Sequence, residues 1–145
     1  MATTKTYGSL IAKAFNKEVD FDSDTIKVAL LSSSYTPNQD TDDYWNDVSS
    51  YEVTGTGYTA GGATLANKAV TYTSGTNVTK FDGDDVSWTS STITARYAVI
   101  YDASPATDST KPLIGYVDFG SNQSSSSGTF SIVWDSAGIF TTTAD

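Results

Sequence analysis

Aspartates supply the recurrent groups in this chain that could hold a metal ion or exchange a proton. Asp20, Asp22 and Asp24 stand at alternate positions, the spacing with which a calcium loop begins. An EF-hand loop also needs Gly at its sixth position and Glu at its twelfth. Those positions hold Thr25 and Leu31 here, so that pattern fails. A second run places Asp82, Asp84 and Asp85 around Gly83. Asp-Gly favours a tight turn, and the flanking segments Val78–Phe81 and Val86–Trp88 read as strands. Two carboxylates facing each other across a cleft could cleave a glycosidic bond, but neither run comes with a sign of a cleft. Both are read as solvated acidic turns, and no metal or cofactor is expected.

The remaining chemistry is excluded by residue type. There is no histidine and no cysteine, which removes the usual neutral-pH base, Ser-His-Asp and Cys-His catalysis, thiolate metal sites and disulfides. The glycines of Gly55-Thr-Gly57 and Gly61-Gly62 resemble a phosphate loop only superficially. No helix-forming segment follows and no lysine is placed to meet phosphate. Their expected role is backbone geometry: positive φ or close approach of another segment. Arg96 is the single arginine and is expected to form a structural ion pair with an aspartate, with a subunit contact as the alternative. The chain is therefore expected not to be an enzyme.

Elements that would position these residues follow from periodicity. Tyr7, Leu10, Ile11, Ala14 and Phe15 recur at helical spacing and predict one short helix over about 8–17, its apolar side covering one end of the core. Asp40–Asp47 predicts a single helical turn capped by Asp40 or Thr41. Strands are predicted at 25–31, 51–54, 63–73, 78–88, 94–102, 112–119 and 128–135, separated by Gly-, Asn-, Ser- and Pro-rich turns. The serine tract Ser124–Ser127 is taken as a hairpin loop. Core candidates are Ile26, Val28, Leu30, Leu65, Val70, Tyr72, Phe81, Val86, Trp88, Tyr97, Val99, Tyr101, Ile114, Tyr116, Phe130, Ile132 and Trp134. The unbroken run Tyr97-Ala-Val-Ile100 suggests a strand covered on both faces. The result is an all-β protein: an antiparallel β-sandwich of Greek-key or jelly-roll type, with about seven or eight strands and one short N-terminal helix. All 145 residues suit a single domain, with residues 1–8 as an extended arm whose removal should leave the domain folded.

Charge bounds the partners. A net charge of −9 and a pI near 4.1 disfavour nucleic acid, whose phosphates must be met by Lys and Arg, and disfavour anionic membranes. The N-terminus lacks a basic start followed by an apolar core, and apolar runs are too short to span a bilayer. The expectation is a soluble protein made in the cytoplasm.

Four segments carry a family resemblance: Ile26–Asp42, Gly55–Leu65, Asp85–Asp102 and Pro112–Gly120. Of these, Gly-Thr-Gly-Tyr-Thr-Ala-Gly-Gly at 55–62 and Ala95-Arg-Tyr-Ala98 are the most specific. Over residues 7–140 the chain resembles a family of small structural proteins of tailed bacteriophages and prophages. The resemblance implies a virion component, brings no catalytic residues with it, and is closest in character to capsid decoration (minor capsid) proteins. The implied partners are the major capsid protein or other virion subunits, with a homo-oligomer, a trimer favoured, and residence in the virion after synthesis in the host bacterial cytoplasm. A tail- or fibre-associated role, with glycan binding by loop aromatics, is the alternative. Residues 1–17 and the Gly55–Gly62 loop are the expected contact regions, and the candidate interface residues are Tyr7, Leu10, Ile11, Tyr44, Trp45, Tyr58 and Arg96.

Overall fold

A computed structural model describes residues 1–145. Two antiparallel sheets form a sandwich. The larger has five strands: β1 (Thr4–Thr6), β2 (Ile26–Leu31), β3 (Ala63–Thr64), β6 (Val86–Asp102) and β7 (Leu113–Ile132), in the order β1-β7-β6-β2-β3. The smaller has three: β4 (Ala69–Thr73), β5 (Val78–Asp82) and β8 (Phe140–Thr143), in the order β4-β5-β8. Helix α1 (Leu10–Phe15) leads from β1, and α2 (Trp45–Val48) sits in the long connection after β2.

Period-two alternation builds the larger sheet and gives it two apolar faces. Ile26, Val28 and Leu30 point to one side, while Ala29 and Leu31 point to the other, and all five are fully buried. The first side joins Ala98, Ile100, Ile114 and Val117 in the main core, which the smaller sheet closes with Phe140 and the half-buried Phe81. The second side is covered by Tyr35, Trp45 and Val48 from the connection after β2. Trp45 stacks flat on Tyr101 with ring centroids 4.3 Å apart. The two-sided burial expected from the run at 97–100 is present: Ala98 and Ile100 join one cluster and Val99 the other.

The central hairpin is longer than the sequence suggests. β6 and β7 pair from Val86↔Ile132 to Tyr101↔Leu113, so the segments expected at 94–102 and 112–119 continue past their expected ends. The serine tract is strand and not loop: Thr94 pairs with Ser124 and Ile93 with Ser125. On the free part of this ribbon Val86, Trp88, Ile93, Phe130 and Ile132 are buried, while Ser87, Thr89, Thr129 and Ser131 face solvent. Serine and threonine thus hold the outer positions of a strand as well as a turn would. Register slips by three residues between Tyr97↔Asp118 and Ala95↔Gln123, a bulge that bends the ribbon.

Other boundaries also shift. The segment 51–54 is a 3-10 turn ending at Tyr51, joined to β2 only by the Leu31↔Glu52 bridge. The expected strand 63–73 splits into β3 and β4, which lie in different sheets, and 78–88 splits into β5 and β6. The chain changes sheets at Asn67, whose φ is +49°, and around Gly83. Val70 and Tyr72, expected in the core, are 39% and 57% exposed, because β4 is the outermost strand and overhangs the core. Tyr97 is half-buried.

Candidate interaction surface

The N-terminal segment is extended, and it is bonded into the domain. Thr4, Lys5 and Thr6 pair with Val117, Tyr116 and Gly115, and the Ala2 N–H donates to the Val133 carbonyl at 2.7 Å. Tyr7 is 1% exposed and packs on the Tyr116 ring at 5.4 Å. Its hydroxyl lies 2.8 Å from that of Tyr35, which donates to Asp42 Oδ2 at 2.7 Å. Burial raises the pKa of both phenols above the ordinary tyrosine range. As a contact residue for a partner, Tyr7 is therefore corrected to a core residue. Leu10 and Trp45, 5% and 4% exposed, are corrected in the same way.

Helix α1 turns differently from expectation. Ser9 precedes its first turn, and the buried side carries Leu10 and Lys13. Lys13 donates to the Asp43 main-chain carbonyl and approaches Asp43 Oδ1 at 3.3 Å. Its ammonium also sits 4.0 Å from the centroid of the Tyr44 ring. Ser9, followed by Lys13, holds the Asp43 carboxyl below the usual range. This anchor turns Ile11 and Phe15 outward, 51% and 85% exposed, where the helical spacing had placed them against the core. Tyr44 is half-buried, its hydroxyl donating to Glu18 Oε2 at 2.9 Å. It also precedes α2, and the main-chain N–H groups of Asp43 and Tyr44 are capped by Asp47 Oδ2 at 2.9 and 3.0 Å. The cap thus comes from within the helical turn and not from Asp40 or Thr41.

The glycine loop is held flat against the large sheet. Tyr58 accepts the Leu30 N–H at 3.0 Å and donates to Glu52 Oε1 at 2.6 Å. The same oxygen accepts the Gly61 N–H at 2.6 Å, and Tyr101 donates to the Gly61 carbonyl at 2.8 Å. A Cβ at Gly62 would stand 2.0 Å from the Val28 carbonyl oxygen, and one at Gly55 would stand 2.3 Å from that of Thr92. The glycines serve close approach, and the half-buried Tyr58 is a strut between loop and strand.

The charged motifs are each engaged structurally. Arg96 forks onto Asp118 at 2.9 and 3.4 Å and lies 5.3 Å from the Tyr97 ring centroid. This pairing raises the Arg96 pKa and lowers that of Asp118. Asp20 and Asp24 close a turn: Asp24 Oδ2 accepts the Asp20 N–H, the Asp20 carbonyl accepts the Asp24 N–H, and Asp20 Oδ1 accepts the Ser23 N–H. Asp82 pairs with Lys80 at 2.7 Å. Asp84 accepts from Asn67 at 2.7 Å, and Asp85 accepts the Trp134 N–H at 2.9 Å. No group of three carboxylates converges as a metal site would require.

A partly apolar groove opens between α1 and the smaller sheet. Ile11 and Ala14 of α1, Val19, Phe21, Val70 of β4 and Phe81 of β5 line a groove of about 660 Å³, which Lys17, Asp20, Asp22 and Asp24 also border. Phe15 and Tyr72 stand beyond it, one helical turn past Ile11 and two strand positions past Val70. Of the seven candidate residues, Ile11 and the buried Leu10 belong to this groove. Tyr44, Tyr58 and Arg96 lie apart from it, each held by the partners described. The contribution of Phe15, Val70 and Tyr72 was hidden in the sequence because their spacing fits a buried face equally well.

Comparison with known protein families, curated proteins and solved structures gave no match.

Proposed function

We propose that this chain is a structural virion protein of a tailed bacteriophage, acting as a capsid decoration protein on the outer face of the major capsid shell. The observation that carries the reading is a division of labour. The phenols, the arginine and the weighed carboxylates other than Asp22 are bound up in holding the fold, while large apolar side chains at 11, 15, 70 and 72 remain in water. An exposed apolar cluster of this kind marks a contact surface. The resemblance at residues 55–62 and 95–98 supplies the setting. Binding only the assembled shell stabilises it by mass action.

The contact region is narrowed from residues 1–17 as a whole to the outer side of α1. The tail-associated alternative rested on loop aromatics; Tyr35 and Trp45 are buried and Tyr51 is 36% exposed, so it has less to stand on. The test uses phage particles stripped of this protein and re-incubated with it. Wild-type protein should return to heads, and Ile11→Asp with Phe15→Asp should cut occupancy at least about tenfold, a loss of about 1.4 kcal/mol or more, with melting unchanged. Label on tails, or full occupancy by the variant, would overturn the proposal.

A further inference from the structure

Edge strands offer unpaired N–H and C=O groups to other chains, and folded proteins normally protect them. Three of the four edges here are protected. β1 carries Lys5 at its centre, and Gln39 Nε2 donates to the Thr6 carbonyl. β3 is two residues long. The outer side of β8 faces β1 across a groove shared by Thr3–Thr6 and Ile139–Thr141.

β4 has none of these devices. Its sequence Ala-Val-Thr-Tyr-Thr contains no charge, proline or bulge, and all five residues are exposed. Its only sheet partner is β5. Residues 69–72 take no part in any main-chain hydrogen bond outside the sheets.

We propose that β4 is a self-association edge, onto which β4 of a second copy adds antiparallel about a two-fold axis at Thr71. This would join two three-stranded sheets into one of six strands. The sequence is self-complementary in that register. Thr71 faces its own copy, and Val70 faces Tyr72 of the second copy, twice over. Each is a cross-strand pair of aromatic and β-branched side chains, among the favourable kinds. The pairs extend the apolar row Phe140–Phe81–Val70, which already runs across the sheet. Lys68, next along the chain, would face Ser74 of the second copy, and Lys80, opposite Thr71 on β5, is paired with Asp82, so no like charges meet directly despite the net charge of −9. A two-fold interface of this kind uses one patch twice.

The inference stands independently of the virion reading, since it concerns the isolated chain. It also differs from the trimer the resemblance favours. Two five-residue strands and their neighbours bury less than the roughly 1,200 Å² of a stable interface, so the dimer should be weak. Sedimentation velocity should show a monomer–dimer equilibrium developing between about 10 and 500 µM, and Tyr72→Lys should abolish it without changing the circular dichroism spectrum. The native chain has no cysteine, so one introduced thiol reports the register. Thr71→Cys should cross-link to dimer under mild oxidation at least about tenfold faster than Thr94→Cys, because facing strand residues stand within disulfide reach. A wild-type chain that stays monomeric throughout, a dimer that survives Tyr72→Lys, or equal cross-linking at the two positions would each overturn the proposal.

Discussion

Asp102 shows most sharply how a side chain here serves structure at an energetic cost. It is 1% exposed; its Oδ1 accepts the Ser104 N–H at 2.8 Å, and its Oδ2 has no partner. Burial first, then the neighbouring Asp24 carboxyl, pushes its pKa from 3.8 up to about 7. The folded protein therefore keeps a proton that the unfolded chain releases. The associated stability is fully present below about pH 4 and is lost as pH rises through 7. Asp102→Asn keeps the shape and cannot ionise, so it should be more stable than wild type at pH 8 by on the order of a few kcal/mol, with the difference shrinking toward pH 4. Urea denaturation at pH 4.5 and 8 measures this, and equal differences at both would contradict it. Gly62 gives a second expectation. Its φ is +80° and an added Cβ would collide with the Val28 carbonyl, so Gly62→Ala should destabilise by about 3 kcal/mol. Arg96→Ala, which breaks an exposed pair, should leave the melting temperature nearly unchanged.

The strands were legible in the sequence wherever one face is buried, because alternation then records the fold directly. Ile26–Leu31 was recovered nearly whole, as was the alternation of Val86 with Trp88 and of Phe130 with Ile132. Legibility failed where a strand's own residues are small and polar or where a partner is distant. Ser121–Gly128 reads as loop because Ser and Gly favour turns, yet Thr94 and Ser124 join hydroxyls across the ribbon at 2.8 Å. The strand 4–6 is too short and polar to announce itself, and its partner lies more than a hundred residues away. Lys13 turned α1 by binding Asp43, a contact invisible to helical periodicity. The N-terminal segment accordingly carries a revised expectation. Deleting residues 1–7 removes a strand and the Tyr7 ring from the core, and should lower the melting temperature substantially where the sequence suggested no effect. Tyr7→Phe should cost about 1 kcal/mol, since Tyr35 still reaches Asp42. Tyr35→Phe should cost more, about 2 kcal/mol, because it strands both neighbours. Chemical denaturation of the two variants orders them.

The molecule as a whole is a strongly anionic sandwich with a partly apolar groove between α1 and the smaller sheet. Its net charge of −9 opposes compaction, so added monovalent salt should raise the melting temperature until repulsion is screened, within about 0.2 M. The all-β sandwich architecture could be argued from composition and pattern. The apolar groove could not, because a pattern reports which side chains share a face and not whether that face ends before the strand does. The pairing of β1 with β7 has a consequence in time. Ala2 bonds to Val133 and Thr4–Thr6 to Gly115–Val117, so β1 is made more than a hundred residues before the strand it pairs with. At about 5–20 residues per second, the N-terminus waits several seconds for its partner to be synthesised. Throughout that wait Tyr7 lacks the Tyr116 ring that covers it in the folded domain.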